Sequence, residues 1–232
     1  MTTRKVERKT DGLNLVYNSD KLEVRSKKLI SIFKLFRKKT KEHDPMKYLV
    51  IGLGNPGDKY EETRHNIGFK VIEKLVKSLD GNFSSDRHVE IAEVKFKGRI
   101  LVCIKPTTFM NLSGKAVSYW MQQHKIKLEN VLVVTDDIAL PFGKLRMKGK
   151  GSDGGHNGLA NIQQTLGTPN FTRLRFGVGN DYHKGRQVDY VLGEWNTEER
   201  ETMSERIDVA CEFLKSYTTI GLQLTMTNWN NK

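Results

Sequence analysis

Cysteine is scarce in this sequence: Cys103 and Cys211 are the only two in 232 residues. Each sits in an apolar stretch, ILVCI and VACEFL, so both are expected as buried thiols and not as a disulfide framework, which fits a reducing compartment. Long hydrophobic runs are missing as well. No stretch of about 18 apolar residues occurs, which excludes a membrane-spanning helix. The first residues lack the apolar centre and small-residue cleavage site of a secretory signal, so the cytoplasm is the expected location. Neither HExxH nor CxxC spacing is found and the six histidines are scattered, so nothing points to a metal. Internal repeats and low-complexity tracts are absent too, leaving one domain of ordinary size with room for a tail.

Positive charge is present but unevenly spread. The formal net charge is +12, of which residues 1 to 46 carry +7, from 13 Lys and Arg against 6 Asp and Glu. The body is therefore only mildly basic, which favours an anionic partner through local patches without proving one. Residues 1 to 28 are polar and without a sustained period, so they are expected to be disordered. Leu29 to Lys41 places Leu29, Ile30, Phe33 and Phe36 near one helical face, which predicts a short basic amphipathic helix. Its partner could be a membrane surface, an RNA or the chain's own domain; alternatively, translation starts at Met46. The division expected is an extension over 1–45 and a folded domain over 46–232.

From Lys47 the patterning changes. KYLVIGL is a short apolar run stopped by GNPG, the form of a buried strand entering a turn. Ile67, Val71, Ile72, Leu75, Val76 and Leu79 predict a helix over about 66–79, stopped at Asp80-Gly81. VEIAEVKF and RILVCI around Lys97-Gly98 read as a hairpin. Asn111 to His124 is helical, VLVVT a buried strand, KLRMK a short half-exposed strand, Leu159 to Leu166 a helix and RLRFGVG a strand. VDYVLG reads as a short strand or loop, and Glu198 to Tyr217 as a charged amphipathic helix. The fold class expected is α/β: a twisted mixed, mainly parallel sheet with helices on both faces.

Gly52, Gly54 and Gly57 match the G-x-G-x-x-G spacing of a dinucleotide fingerprint. The context opposes it: Pro56-Gly57 suits a turn, DKYEETRHN delays the helix, and the acidic residue expected about 20 positions on, Glu73, falls inside the first helix. Instead the loop presents Asn55, Tyr60, His65 and Asn66 at the C-terminal end of a strand, where open α/β sheets build sites. A histidine there is a candidate general base if a carboxylate orients it. Asp136 and Asp137 end the VLVVT strand, and alternation allows only one of them into the same crevice. Asn111, leaving a strand for a helix, is either an N-cap or an amide that donates to an oxyanion. The glycine-rich GSDGGHNG brings His156 and Asn157 to the mouth of the next helix. Arg146 with Lys148, and Arg173 with Arg175, share faces by period-two alternation, which makes a phosphate clamp geometrically feasible beside the simpler reading of solvated edge charge.

Five segments in order, GLGNPGDKYEETRHNIGF, KPTTFMNLSGKAV, VTDDIALPFG, KGSDGGHNGL and NFTRLRFGVG, resemble the bacterial-type peptidyl-tRNA hydrolase family, over residues 46 to 220. The resemblance implies a monomeric, cofactor-free and metal-independent esterase that cuts the ester between a peptide and the 3′ ribose of tRNA. It implies His65 as general base, Asp136 as its supporting carboxylate, and Asn55 and Asn111 as amides placing substrate and water. Asn157 would help hold the water, with His156 beside it in the substrate site. Tyr60, Phe109 and Met110 match pocket residues for the peptidyl-adenosine end, and Lys148 and Arg175 match contacts to acceptor-stem phosphate. The sequence departs from the family where Ala139 replaces a frequent second acid and Thr135 a common histidine. Two other readings are an RNA-binding relative that has lost the chemistry and a nucleotide-dependent oxidoreductase using GLGNPG.

Overall fold

The apolar runs of the sequence become the inner strands of one sheet. The computed structural model describes residues 43 to 230, so the tail features expected over 1–28 and 29–41 lie outside the described residues. Among the described residues seven strands run β1 (Lys47–Gly52), β2 (Ser84–Asp86), β3 (Val89–Phe96), β4 (Arg99–Pro106), β5 (Val131–Asp137), β6 (Leu145–Lys148) and β7 (Thr172–Gly177). Their order in the sheet is β2-β3-β4-β1-β5-β7-β6. The four central strands are parallel, β4 to β1, β1 to β5 and β5 to β7. Both margins are antiparallel, the VEIAEVKF–RILVCI hairpin on one side and β6 on the other.

Burial on both faces explains the unbroken apolar runs. Along β1 and β5, Val50, Leu132 and Val134 pack with α1 (Ile67–Lys77) and the long helix α5 (Thr197–Trp229) on one face. Leu49, Ile51, Val131 and Val133 turn to the other face, with α2 (Ser113–Gln123) and α3 (Asn157–Leu166). Helix α1 buries the residues its periodicity predicted: Ile67, Val71, Ile72, Leu75 and Val76. Helix α5 starts on a capping box, with Asn196 and Glu199 each bonding the other's backbone N–H, which satisfies two end donors.

Two expectations change. VDYVLG is neither strand nor loop; Gln187–Val191 forms a short helix, α4. Val188, Val191 and Leu192 stand at i, i+3 and i+4, so a helical signal was present but too short to outweigh the β-branched residues. The charged helix also runs past Tyr217 to Trp229, with a break at Gly221.

The glycine fingerprint has a packing explanation. A Cβ on Gly52 would lie 2.3 Å from the Gly68 carbonyl oxygen, and one on Gly68 2.5 Å from the backbone N and O of Leu53. These glycines let the start of α1 rest on the end of β1. Two 3₁₀ turns, Asp58–Tyr60 and Arg64–Asn66, intervene before α1, so no helix N-terminus opens directly at the glycines as a pyrophosphate site requires.

Candidate active site

The parallel strands deliver their C-terminal ends to one edge of the sheet, where the connecting loops enclose a crevice of about 610 Å³. Asn55, after β1, and His65, in the 3₁₀ turn before α1, line it together with Asp136 at the end of β5. Phe109, Met110 and Asn111 come from the segment after β4, and His156 and Asn157 from the glycine-rich loop at the start of α3. Lys148 and Arg175 also border it. Tyr60 is not among the lining residues: it ends the Asp58–Tyr60 turn, with the Lys59 ammonium 4.8 Å from its ring centroid. The sequence pattern did not reveal that 3₁₀ turn.

The turn bearing His65 is held from behind. Arg64 is buried, donating to Glu199 at 2.7 Å and to the Glu194 carbonyl at 2.6 Å, with Tyr190 stacked 4.4 Å from the guanidinium. This ties the turn to α4 and α5, and the sequence reading had not marked it. Asn66 fixes the other side, accepting from the Asn55 N–H at 2.8 Å and donating to the Asn55 carbonyl at 2.9 Å.

His65 Nδ1 lies 3.0 Å from both oxygens of Asp136, and His156 Nε2 lies 2.9 Å from Asp136 Oδ1. The far side of His156 settles its tautomer. Its Nδ1 accepts from the N–H groups of Gly158 and Leu159 at 3.1 and 3.3 Å, capping α3. Nε2 must then carry the proton and donate it to Asp136. Asp136, 4% exposed, thus accepts from two imidazoles, and a proton on His65 Nδ1 leaves Nε2 with its lone pair free.

Charge follows the same geometry. Burial works against a charged His65, but the Coulombic pull and hydrogen bond of Asp136 outweigh it and raise the pKa above the usual histidine value. Burial likewise opposes an ionised Asp136, yet the two imidazoles hold its carboxyl below the usual carboxylate range. The pair is an anionic carboxylate supporting a base, the arrangement that extracts a proton from water.

Asn55 is oriented as firmly. Its Oδ1 accepts from the Met110 N–H at 2.9 Å, which leaves Nδ2 as the donor directed to the crevice. Asn111 and Asn157 are exposed on its rim. Apolar surface faces them: Phe109 is 56% and Val188 64% exposed, and both line the crevice with Ile138 and Leu192. Thr135 is buried and donates to the Asp136 carbonyl at 3.3 Å, while Ala139 leaves its stretch of wall without a carboxylate.

The basic residues divide. Lys148 is exposed at the crevice, as alternation in KLRMK predicts. Arg175 Nε pairs with Asp137 Oδ2, so its charge is partly spent within the protein. Asp137 also lines the crevice, so strand alternation fails to keep it out, although only Asp136 reaches His65. Arg173 is no phosphate clamp: it is 1% exposed, donates to the Ser152 and Pro169 carbonyls at 3.0 and 2.9 Å, and stacks on Phe171. It anchors the glycine-rich loop.

His65, Asp136 and His156 bring donor atoms within 4.8 Å of one another, close enough to suggest a metal. The hydrogen bonds argue otherwise. A cation on His156 Nε2 would have to displace its proton while Nδ1 still accepts two amides, which demands an imidazolate. Elsewhere, Cys103 and Cys211 are buried free thiols, and burial pushes Cys211 up to about 12. Among the described residues no helix is long and apolar enough to cross a membrane.

Known proteins resemble this chain in sequence and fold. Residues 49–232 match the family model described as peptidyl-tRNA hydrolase. The peptidyl-tRNA hydrolase of Cytophaga hutchinsonii is 57% identical over 187 residues, 81% of this chain and the whole of that protein. That of Phocaeicola vulgatus is 54% identical over the same shares. The crystal structure of peptidyl-tRNA hydrolase from Acinetobacter baumannii superposes with a TM-score of 0.76 at 33% identity, covering 82% of this chain and 97% of that one.

Proposed function

The chain belongs to the peptidyl-tRNA hydrolase family, and we propose that it performs the family's reaction with His65 as the base that activates water. It is a hydrolase that cuts the ester between a peptide and the 3′ ribose of tRNA, releasing free tRNA. The observation that carries the base assignment is the double donation to Asp136, which leaves His65 Nε2 unprotonated toward the crevice.

In this reading a water held near Asn157 gives its proton to His65 Nε2 while its oxygen bonds to the ester carbonyl carbon. The carbonyl electrons move onto oxygen, and Asn55 Nδ2, with Asn111, donates to that oxyanion. Collapse breaks the bond to the ribose oxygen, which takes the proton back from His65, giving a peptide acid and a tRNA hydroxyl. General-base help contributes about 10²- to 10⁴-fold, and an oxyanion donor about 10²- to 10³-fold. A ribosyl ester is already activated, so placement, base and donors suffice without a metal or covalent intermediate.

Phe109 and Met110 pack against the peptidyl-adenosine end, His156 borders it, and Lys148 with Arg175 meets acceptor-stem phosphate. Tyr60, at the end of the turn that precedes that of His65, is assigned to the same peptidyl-adenosine end by the family resemblance. The catalytic domain is residues 46 to 232, supported by the family match over 49–232. The enzyme acts as a monomer, as the family resemblance implies, and in the cytoplasm, where translation produces the substrate and free thiols persist. The test is peptide release from purified N-acetylated peptidyl-tRNA by the full-length chain, with and without 1,10-phenanthroline. Release in both is expected. A chain that binds tRNA and releases nothing is a binding relative, and loss of release with the chelator overturns the metal-free mechanism.

A further inference from the structure

We propose that Asn230, at the far C-terminal end of the fold, is a positioning residue for the phosphate-binding Lys148. This rests on the reading of Lys148 given above. Strand β6 is the outer strand of the sheet, and an outer strand normally leaves its outward N–H and C=O groups to water. At Met147 the outward pair is taken by one side chain. Asn230 Oδ1 accepts from the Met147 N–H at 2.8 Å, and Asn230 Nδ2 donates to the Met147 carbonyl at 3.0 Å. A primary amide has one acceptor and one donor edge, so it completes the ladder as a single residue of an eighth strand would.

The chain reaches this place because α5 breaks at Gly221, whose φ of 80 and ψ of 173 belong to a region side chains avoid. Leu222 to Trp229 then folds back. Ser216 and Thr225 hydroxyls meet at 3.0 Å, and the Phe213 and Trp229 rings pack at a tilt with centroids 5.4 Å apart. Leu222 consequently covers Gly149, where a Cβ would lie 2.5 Å from Leu222 Cδ2. The residues on both sides of Lys148 are thus held by the C-terminal segment, while Lys148 itself is exposed at the crevice.

What this fixes is register. β6 has only four residues, Leu145–Lys148, with Leu145 and Met147 buried and Arg146 and Lys148 exposed. A slip of one residue in so short a strand would turn Lys148 inward and Met147 outward. Two hydrogen bonds to Met147 oppose that slip. They also remove backbone freedom that a lysine would otherwise lose on meeting phosphate. Asn230 touches none of the crevice residues that carry the chemistry, so its effect should appear in tRNA affinity.

The experiment compares full-length wild type, Lys148→Ala, Asn230→Ala and the double variant. It measures binding of deacylated tRNA across a salt series, and KM and kcat on peptidyl-tRNA. Loss of one phosphate contact flattens the log–log salt slope by about one unit and weakens binding about fivefold near 0.15 M salt. Asn230→Ala is expected to reproduce that change, to move KM far more than kcat, and to add little in the Lys148→Ala background. Gly221→Ala, which strains the fold-back by another route, is expected to flatten the slope in the same sense. A wild-type slope in Asn230→Ala, or full additivity with Lys148→Ala, overturns the proposal even if Tm falls, since a purely stabilising role moves Tm and not the slope. A wild-type slope in Lys148→Ala overturns the phosphate reading itself and this proposal with it.

Discussion

His156 and Asp136 share a 2.9 Å hydrogen bond whose direction is set on the opposite side of the imidazole, where Nδ1 accepts the amides of Gly158 and Leu159. His156 therefore gives its proton to the same carboxylate that supports His65, whose ring centroid is 4.8 Å away. The start of α3 and the catalytic base are joined through one anion.

That sharing predicts a pH effect. In His156→Ala, Asp136 loses one of its two donors and interacts more strongly with His65, which raises the His65 pKa further. The acidic limb of kcat/KM should move to higher pH. Loss of the cap costs about 1 kcal/mol of stability in addition. A limb that stays in place or moves down contradicts the shared-anion arrangement.

Asp136→Asn shifts the limb the other way. In wild type the base must be neutral, so kcat/KM falls as pH drops through a pKa raised above the ordinary histidine value of about 6.5. Removing the carboxylate removes the cause of the increase and the preference for the productive tautomer. The limb is expected at lower pH, with kcat reduced by about 10⁴-fold by analogy with other carboxylate-supported histidines. Steady-state rates between pH 5 and 9 would read both changes.

Asn55→Asp separates structure from chemistry. The aspartate keeps an oxygen for the Met110 N–H but has no Nδ2 to donate to an oxyanion. It should fold as wild type by circular dichroism and lose about 10²- to 10³-fold in kcat. A fully active Asn55→Asp enzyme would remove this amide from the mechanism.

Asp137→Asn should tighten tRNA binding. Asp137 offsets part of the Arg175 charge through its contact with Nε, so removing the carboxylate's charge strengthens the pull of the guanidinium on phosphate. The salt slope is expected to steepen by up to about one unit. Unchanged affinity and slope would show that Arg175 does not face the acceptor stem.

Much of this site was legible before any coordinates. KYLVIGL and VLVVT announced strands by unbroken apolar runs, and the 3.6-residue spacing of Ile67, Val71, Ile72 and Leu75 announced the helix behind His65. The crevice residues Asn55, His65, Asn111, Asp136, His156 and Asn157 could be named because each sits where a strand ends or a helix begins. What stayed hidden depends on three-dimensional partners. Nothing local shows that Arg173 turns inward to bond two carbonyls while Lys148 stays free, or that Arg175 meets Asp137 across two strands. The α4 helix was too short for its apolar spacing to compete with β-branched composition. The 3₁₀ turn that Tyr60 ends has only three residues and leaves no periodic signal. The fold-back at Gly221 rests on one glycine in an otherwise continuous helical pattern.

The most direct test is single-turnover release of peptide from peptidyl-tRNA by His65→Ala, with tRNA affinity measured on the same preparation. The account predicts a fall of about 10²- to 10⁴-fold in the rate with tRNA binding close to wild type. Release at the wild-type rate by His65→Ala would mean that another group activates the water and that His65 is not the base.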